Sequence, residues 1–150
     1  MYKKILVPID GSASSLRGLD EAITLCKEGG AALRLVHAVN EYFIEVGYGA
    51  PFLTPQLIQS LRDGGAAILK SAVSKARERG VTADSVLLDR LGQRVSELIL
   101  EQANEWPADL IVMGTHGRRG LSRVAMGSDA ELVVRGASIP VLLVKAIEKQ

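Results

Sequence analysis

The sequence predicts an α/β fold in which a doubly wound, parallel sheet is covered by helices on both faces. Five short aliphatic runs are continuous rather than alternating, which is typical of strands buried on both faces. The segments between them have helical periodicity, and strands that alternate with helices favour right-handed crossovers between parallel neighbours. A chain of 150 residues with 47% hydrophobic and 23% charged residues is expected to form one such domain, residues 1–150.

The individual elements follow from apolar spacing and from residues that begin or end helices. Helices are predicted where apolar residues recur every three or four positions, and strands where aliphatic residues are consecutive. The second helix begins with the cap Thr54 and with Pro55 in its first turn. Gly80 ends this helix, and the pair Gly64–Gly65 is its weak point. In chain order the predicted elements are a strand at 5–9, a helix at 12–27, a strand at 32–39, a long surface loop at 40–53, a helix at 54–79, a strand at 85–88, a helix at 93–104, a strand at 110–113, a helix at 129–135 and a strand at 141–144.

Composition and charge exclude several classes of function. The formal net charge of +1 provides no global field that would attract nucleic acid or an anionic membrane. The first apolar run is too short for the apolar core of a signal peptide, and no segment has the length of a membrane span. The single cysteine, Cys26, cannot form an internal disulfide and is expected to be a small core residue. We therefore expect a cytoplasmic protein that neither inserts into membranes nor binds nucleic acid.

A glycine-rich segment between a predicted strand and a predicted helix is the clearest functional pattern. Gly114, Gly117 and Gly120 follow the fourth strand, and Gly127 with Ser128 precedes the last helix. Glycine backbone can approach an anion without a Cβ clash, and a helix start adds unpaired N–H groups and the positive end of the dipole. The spacing matches neither a P-loop nor the dinucleotide fingerprint. It predicts a phosphorylated ligand held by another arrangement, at the carboxyl ends of the strands where the winding direction switches.

The start of the last helix has two compatible interpretations. Ser128 and Glu131 have the spacing of a capping box, which predicts that the serine hydroxyl caps the helix. The same hydroxyl could also contact a phosphate. Asp129 is a favourable acid in a first helical turn, where it points to solvent or helps to hold a divalent cation, and repulsion of a phosphate is the alternative.

Other polar residues near the predicted site also have a local interpretation. Asp10 either closes a turn or contacts the ligand. His116 has no nucleophile or second base beside it in sequence, which favours a local hydrogen bond over the role of a catalytic base. His37 lies in an apolar strand and is expected to be a satisfied core histidine. Arg118 and Arg119 either screen phosphates or are simply solvated.

Four segments together resemble the universal stress protein family. They are ILVPIDGS at 5–12, LVHAV at 35–39, DLIVMGTHG at 109–117 and the tail from Gly127 to Val144. The resemblance covers the whole chain, and the complete pattern G-x2-G-x9-G-S, from Gly114 to Ser128, marks the ATP-binding branch of the family. The resemblance implies a Rossmann-like sheet of five parallel strands in the order 3-2-1-4-5, a dimer, and ATP at the switch point.

The resemblance also implies roles for single residues. Asp10 would lie near the ribose or the base edge, Ala38 would offer backbone atoms to adenine, and Gly127 with Ser128 would hold the terminal phosphates. Asp129 departs from the small or β-branched residue that is usual there, and Ala38 departs from the commoner valine. Mg²⁺ or Mn²⁺ would bind through the ATP phosphates, with no metal site from the protein alone. The implied nucleotide-binding residues are Pro8, Ile9, Asp10, Ala38, Met113, Gly114, Thr115, His116, Gly117, Arg118, Arg119, Gly120, Gly127, Ser128 and Asp129.

Three functions are compatible with these features. The preferred one is a stress-response regulator whose ATP-loaded state is recognised by an unknown protein partner. An adenine-nucleotide hydrolase is the second, although segment 10–14 lacks the serine-glycine-glycine phosphate loop of that class. A dimeric module that binds AMP, cyclic AMP or no nucleotide is the third, and the intact glycine pattern argues against an empty pocket. Because no general base is evident, ATP hydrolysis is expected to be slow or absent.

The last strand is expected to form a homodimer interface. In the order 3-2-1-4-5 it lies at a sheet edge, where four consecutive aliphatic residues favour pairing with another chain. An antiparallel pair of these strands across a two-fold axis is the economical solution, and a tetramer is left open. The alternative is a monomer whose edge is covered by residues 146–150. The interface residues are Val141, Leu142, Leu143 and Val144.

Overall fold

The computed structural model describes residues 1–39, 54–116 and 126–147. Within these ranges five strands alternate with four helices, all strand pairs are parallel, and the sheet order is β3-β2-β1-β4-β5. The predicted fold class and strand order are therefore confirmed, while the predicted loop at 40–53 lies outside the described residues. In chain order the elements are β1 (Lys4–Pro8), α1 (Ala13–Gly29), β2 (Ala32–Ala38), α2 (Pro55–Glu78), β3 (Ala83–Leu88), α3 (Val95–Glu105), β4 (Leu110–Gly114), α4 (Ser128–Gly136) and β5 (Val141–Val144).

Helix ends lie close to the positions that local chemistry predicts. The Ser12 side chain caps α1 and the Thr54 side chain caps α2, where Thr54 Oγ1 accepts a hydrogen bond from Leu57 N at 3.1 Å. Gly30 ends α1 in the left-handed conformation, with φ of 71°. The largest boundary difference on the strands is at β3, which begins at Ala83 instead of residue 85.

A cross-strand ion pair explains the longer β3. Arg34 on β2 forms two hydrogen bonds to the Asp84 carboxylate, Nε to Oδ1 at 3.0 Å and Nη2 to Oδ2 at 2.7 Å. The guanidinium also stacks 4.7 Å from the centre of the Trp106 ring. Because these contacts join residues far apart in sequence, the local apolar pattern did not indicate the extra strand residues.

The core has two layers, one on each face of the sheet. Helices α1 and α2 cover one face, and α3 and α4 cover the other. Successive β1 residues face opposite layers: Ile5 packs with α1 and α2, and Leu6 packs with α3 and α4. Cys26 is a buried residue of the first layer, as predicted, and burial raises the pKa of its thiol to about 11. None of the helices in the described ranges has the length and apolar character that a membrane span requires.

The two central strands are joined at one end and separate at the other. At the amino end, the Asp109 carboxylate accepts hydrogen bonds from Lys3 N at 2.8 Å and Lys4 N at 3.0 Å. The pairing of β1 with β4 then extends only to Leu6 and Ile111, although both strands continue beyond these residues. A crevice therefore opens between β1 and β4 at the carboxyl edge of the sheet, which is the switch point of a doubly wound fold.

The glycine pair in α2 does not interrupt the helix. A Cβ on Gly65 would lie 2.5 Å from His37 Cδ2 and 2.8 Å from Leu87 Cδ1, whereas a Cβ on Gly64 would meet open space. The predicted weak point is therefore the place where α2 lies closest to β2 and β3. Gly65 is present because no larger residue fits against the imidazole.

We expect opposite effects when each of these glycines is replaced by alanine. Gly64→Ala should raise the free energy of unfolding by about 0.5–1 kcal/mol, because alanine favours a helix and the position is open. Gly65→Ala should lower it by about 1–3 kcal/mol through overpacking against His37. Urea unfolding followed by circular dichroism measures both. Equal stability of the two variants would contradict the close approach of α2.

Candidate functional site

The crevice between β1 and β4 is bordered by two loops and two helix starts. Ile9 and Asp10 continue from β1, and Thr115 and His116 continue from β4. Since α1 and α4 run antiparallel to the strands, their amino termini lie at the same carboxyl edge. Of the predicted site residues, the structure places Pro8, Ile9, Asp10, Ala38, Met113, Gly114, Thr115, His116, Gly127, Ser128 and Asp129 at this edge, whereas Gly117, Arg118, Arg119 and Gly120 lie outside the described residues.

The first turn of α1 holds the loop that follows β4. Ser14 Oγ donates a hydrogen bond to the His116 carbonyl oxygen, and Ser12 Oγ lies 3.4 Å from the same oxygen. The His116 ring is hydrogen bonded locally, with Nδ1 3.0 Å from Thr115 Oγ1, as its sequence context predicted. Sequence reasoning missed Ser14, although a serine cluster at a helix start was a signal for such contacts.

Gly114 has a structural role that the sequence did not reveal. Its φ angle lies outside the left-handed region, so alanine would fit the backbone conformation. A Cβ would nevertheless lie 2.7 Å from the Ser14 carbonyl carbon and 2.8 Å from Ser15 N. A backbone conformation that alanine can adopt is therefore not sufficient at this position, because α1 backbone occupies the space. Gly18 on α1 also lies at the contact between α1 and β4. A Cβ on Gly18 would be 3.5 Å from the Met113 carbonyl carbon.

The start of α4 differs from the predicted capping box. The helix cap is Gly127, whose carbonyl accepts from Glu131 N at 3.0 Å, and Ser128 is the first residue inside the helix. The capping interpretation of Ser128 is therefore wrong, because the residue whose carbonyl begins the helix is one position earlier. The Glu131 carboxylate pairs instead with Arg135 Nη2 at 2.8 Å.

The start of α4 lies beside the end of β4, at the carboxyl edge of the sheet. The N–H groups of Ser128, Asp129 and Ala130 precede the first intrahelical hydrogen bond of α4. Ser128 is exposed, and its hydroxyl makes no hydrogen bond within the described part of the chain. Gly127 N donates to Thr115 O at 2.6 Å, which joins this helix start to the end of β4. Such a helix start can bind an anion.

Ala38 lies where β2 continues past the end of β1. Hydrogen bonds from Ala32 N to Lys3 O and from Ile9 N to Val36 O, both 2.8 Å, show that even-numbered β2 residues bond towards β1. The N–H and C=O of Ala38 therefore also face the β1 side, at the edge of the crevice. The Ala38 N–H and C=O can form hydrogen bonds with a planar ring that has an acceptor and a donor on one edge.

Asp10 closes the turn between β1 and α1. Its Oδ1 accepts a hydrogen bond from Ser12 N at 2.9 Å, which confirms the turn interpretation. His37 is buried, and its Nδ1 lies 2.7 Å from the Ile9 carbonyl oxygen, so it is the satisfied core histidine that the sequence predicted.

Two of the predicted site residues are core residues by their side chains. Ile9 is 2% exposed in the layer under α1 and α2, and Met113 is 6% exposed in the layer under α3 and α4. The backbone groups of Ile9 are also engaged, N with Val36 O at 2.8 Å and O with His37 Nδ1 at 2.7 Å. No cluster of three or more histidine, cysteine or carboxylate side chains that could hold a metal ion occurs in residues 1–39, 54–116 and 126–147.

Comparisons with known proteins agree with the fold. The model of the universal stress protein family matches residues 1–145. Universal stress protein MJ0531 of Methanocaldococcus jannaschii is 37% identical over 150 residues, which cover 100% of this chain and 86% of that protein. The structure of hypothetical protein MJ0577 has a TM-score of 0.82 at 24% identity, covers 99% of both chains, and supports the fold alone. A universal stress protein from Archaeoglobus fulgidus, solved in complex with dAMP, has a TM-score of 0.71 at 27% identity, with 96% of this chain and 98% of that chain covered.

The two glycines of the α1–β4 contact provide a matched test. Gly114→Ala should lower the free energy of unfolding by about 1–3 kcal/mol, because the methyl group would displace the first turn of α1. Gly18→Ala places its methyl group at an ordinary contact distance within a helix and should be neutral or stabilising by about 0.5–1 kcal/mol. Thermal and urea unfolding of both variants measure the difference. A fully stable Gly114→Ala protein would show that α1 does not approach β4 so closely.

Proposed function

The chain belongs to the universal stress protein family, and we propose that it binds an adenine nucleotide, ATP with Mg²⁺ or Mn²⁺, in the crevice between β1 and β4. In this proposal the nucleotide-loaded protein is a stress-response regulator that a protein partner recognises. The observation that carries the proposal is the start of α4, where the positive end of the helix dipole and the exposed Ser128 hydroxyl lie at the switch point of the sheet.

The base and ribose belong at the β1 and β2 side of the crevice. Ala38 offers an N–H donor and a C=O acceptor on the side of β2 that faces β1, which suits the donor and acceptor edge of adenine. The Asp10 carboxylate lies at the end of β1 and is an acceptor for a ribose hydroxyl. The relative from Archaeoglobus fulgidus that was solved with dAMP supports an adenine nucleotide as the ligand.

The phosphates belong at the β4 and α4 side. The α4 start provides N–H donors and the positive end of the helix dipole, and Ser128 adds a hydroxyl. Gly117 and Gly120 would let the backbone approach the phosphates, and Arg118 and Arg119 would neutralise part of their charge. A divalent cation held by the phosphates would also offset the negative charge of Asp129 in the first turn.

The polar side chains of the crevice favour binding over catalysis. Hydrolysis of a phosphoanhydride needs an oriented water molecule and usually a general base. Among the described residues, two titratable candidates that follow the strands are engaged locally, Asp10 with Ser12 N at 2.9 Å and His116 with Thr115 Oγ1 at 3.0 Å, and Asp129 lies in the first turn of α4. We therefore expect ATP to be held as a signal and hydrolysed slowly or not at all.

We also propose a homodimer built on β5. This strand lies at the edge of the sheet, and Leu142 is 38% exposed on it. Two further apolar side chains on the adjoining helix α4 are exposed, Leu132 and Val134. Antiparallel pairing of two β5 strands would satisfy the open edge and bury this apolar surface.

Titration of nucleotide-stripped protein with ATP and Mg²⁺ tests the binding proposal. Calorimetry should show saturable heat, and the melting temperature should rise with ATP concentration because a ligand that binds only the native state stabilises it. AMP and cyclic AMP are titrated in parallel, and weaker binding of both would identify the terminal phosphates as the recognised feature. No heat and no thermal stabilisation at millimolar ATP would refute the proposal.

A substitution at Gly127 tests where the phosphates bind. Gly127 has φ of −60° and ψ of 151°, which valine adopts without strain, so Gly127→Val should remain folded. Its side chain would occupy the space expected for the phosphates and should abolish ATP binding. The control Gly64→Ala lies on an open surface of α2 and should bind normally. Normal ATP affinity of Gly127→Val would place the phosphates elsewhere.

Sedimentation equilibrium at micromolar concentration tests the dimer. The wild-type protein should sediment at twice the chain mass of 16.0 kDa. Leu142→Asp should produce the monomer, because a charge on the edge strand opposes its pairing. Leu57→Asp is the matched control, since Leu57 is also 38% exposed but lies at the start of α2. A wild-type protein of single-chain mass would refute the proposed interface.

A further inference from the structure

We propose that His37 and Ser15 are positioning residues of the nucleotide site. Together they form a clamp on the peptide group between Ile9 and Asp10, and the clamp directs the Asp10 carboxylate into the crevice. The inference rests on the proposed function, because it assigns a role in nucleotide affinity to two buried side chains. Neither side chain touches the ligand in this proposal.

Both polar ends of one peptide group are held by side chains. The Ile9 carbonyl oxygen lies 2.7 Å from His37 Nδ1, and Asp10 N donates to Ser15 Oγ at 3.4 Å. Both side chains are buried, with His37 8% and Ser15 4% exposed. The clamp acts just beyond the end of β1, where β1 no longer provides strand pairing.

The proton positions in the clamp are determined by its partners. A carbonyl oxygen can only accept, so His37 Nδ1 carries the proton in this contact. The Ser15 hydroxyl donates to Ser12 O at 3.0 Å, which leaves its lone pairs to accept from Asp10 N. In the clamp, His37 is therefore the donor to the Ile9 carbonyl and Ser15 is the acceptor for Asp10 N.

Helix α2 supports the clamp from behind. Gly65 lies against the imidazole so closely that its Cβ would be 2.5 Å from His37 Cδ2 and 3.1 Å from Nε2. The ring can therefore not rotate away from Ile9 without moving α2. Through the clamp, the packing of α2 against His37 therefore influences the direction of the Asp10 side chain.

The physical consequence concerns the direction of Asp10. A rotation of the Ile9–Asp10 peptide would exchange its C=O and N–H directions and change the adjoining dihedral angles, so the Asp10 side chain would point elsewhere. Loss of either clamp residue also leaves a peptide group without its partner in a buried position. The clamp thus pre-organises the carboxylate before a ligand arrives, which lowers the ordering cost of binding.

The test measures ATP affinity by calorimetry in a thermodynamic cycle with Asp10. His37→Phe keeps a ring but removes the donor, and should weaken ATP binding about tenfold, or about 1.4 kcal/mol. His37→Asn keeps a donor near the Nδ1 position and should restore most of the affinity. In an Asp10→Ala background, His37→Phe should change the affinity no further, because the clamp acts through Asp10. Ser15→Ala removes the contact at the other end of the peptide and should weaken ATP binding to a similar extent. It replaces His37→Phe in the cycle if the latter variant does not fold.

Two controls separate positioning from loss of stability. Ser96→Ala removes a buried serine hydroxyl from α3, outside the crevice, and should keep wild-type affinity whatever its stability. Nitrogen-15 NMR of the imidazole should report a protonated Nδ1 in the wild type. If ATP binds the wild type and His37→Phe weakens it equally with and without Asp10, the clamp is refuted while the nucleotide site stands. If the wild type binds no nucleotide, both proposals fail.

Discussion

The separation of β1 from β4 is the constraint on which the rest of the structure depends. The Asp109 carboxylate joins the two strands at their amino ends, and their pairing extends only to Leu6 and Ile111. After this point the chain continues from β1 into α1 on one face of the sheet. The helix that follows β4 in the chain is α4, on the other face. Both helices begin at the carboxyl edge, so two helix amino termini and the residues that follow β1 and β4 converge on one crevice.

Close backbone packing makes this convergence possible. Gly114 lets the first turn of α1 lie against the end of β4, and Gly65 lets α2 lie against the His37 imidazole. At both positions the helix approaches the sheet more closely than a larger side chain would allow. The glycines of this chain therefore serve the architecture of the crevice as well as any contact with a ligand.

The described groups of the crevice fit the proposed binding role. Its described donors are backbone N–H groups and the Ser128 hydroxyl, which suit a stationary anion. Its titratable side chains, Asp10 and His116, have local hydrogen-bond partners that hold the two loops in shape. Under the proposed function, such a preorganised site would hold a nucleotide whose presence a protein partner recognises.

The sequence by itself determined the order and type of the elements, the parallel sheet and the region of the site. The signals used for these predictions are local: continuous aliphatic runs, helical spacing, the cap at Thr54 and the glycine pattern around Gly114. Local signals can be recognised from the order of residues along the chain. The tertiary structure decided that Gly127 rather than Ser128 caps α4, that Gly114 makes room for α1, and that His37 and Ser15 hold one peptide from two sides. These contacts join backbone and side chains that are distant in sequence, and their geometry depends on how helices pack on the sheet, which no local residue pattern encodes.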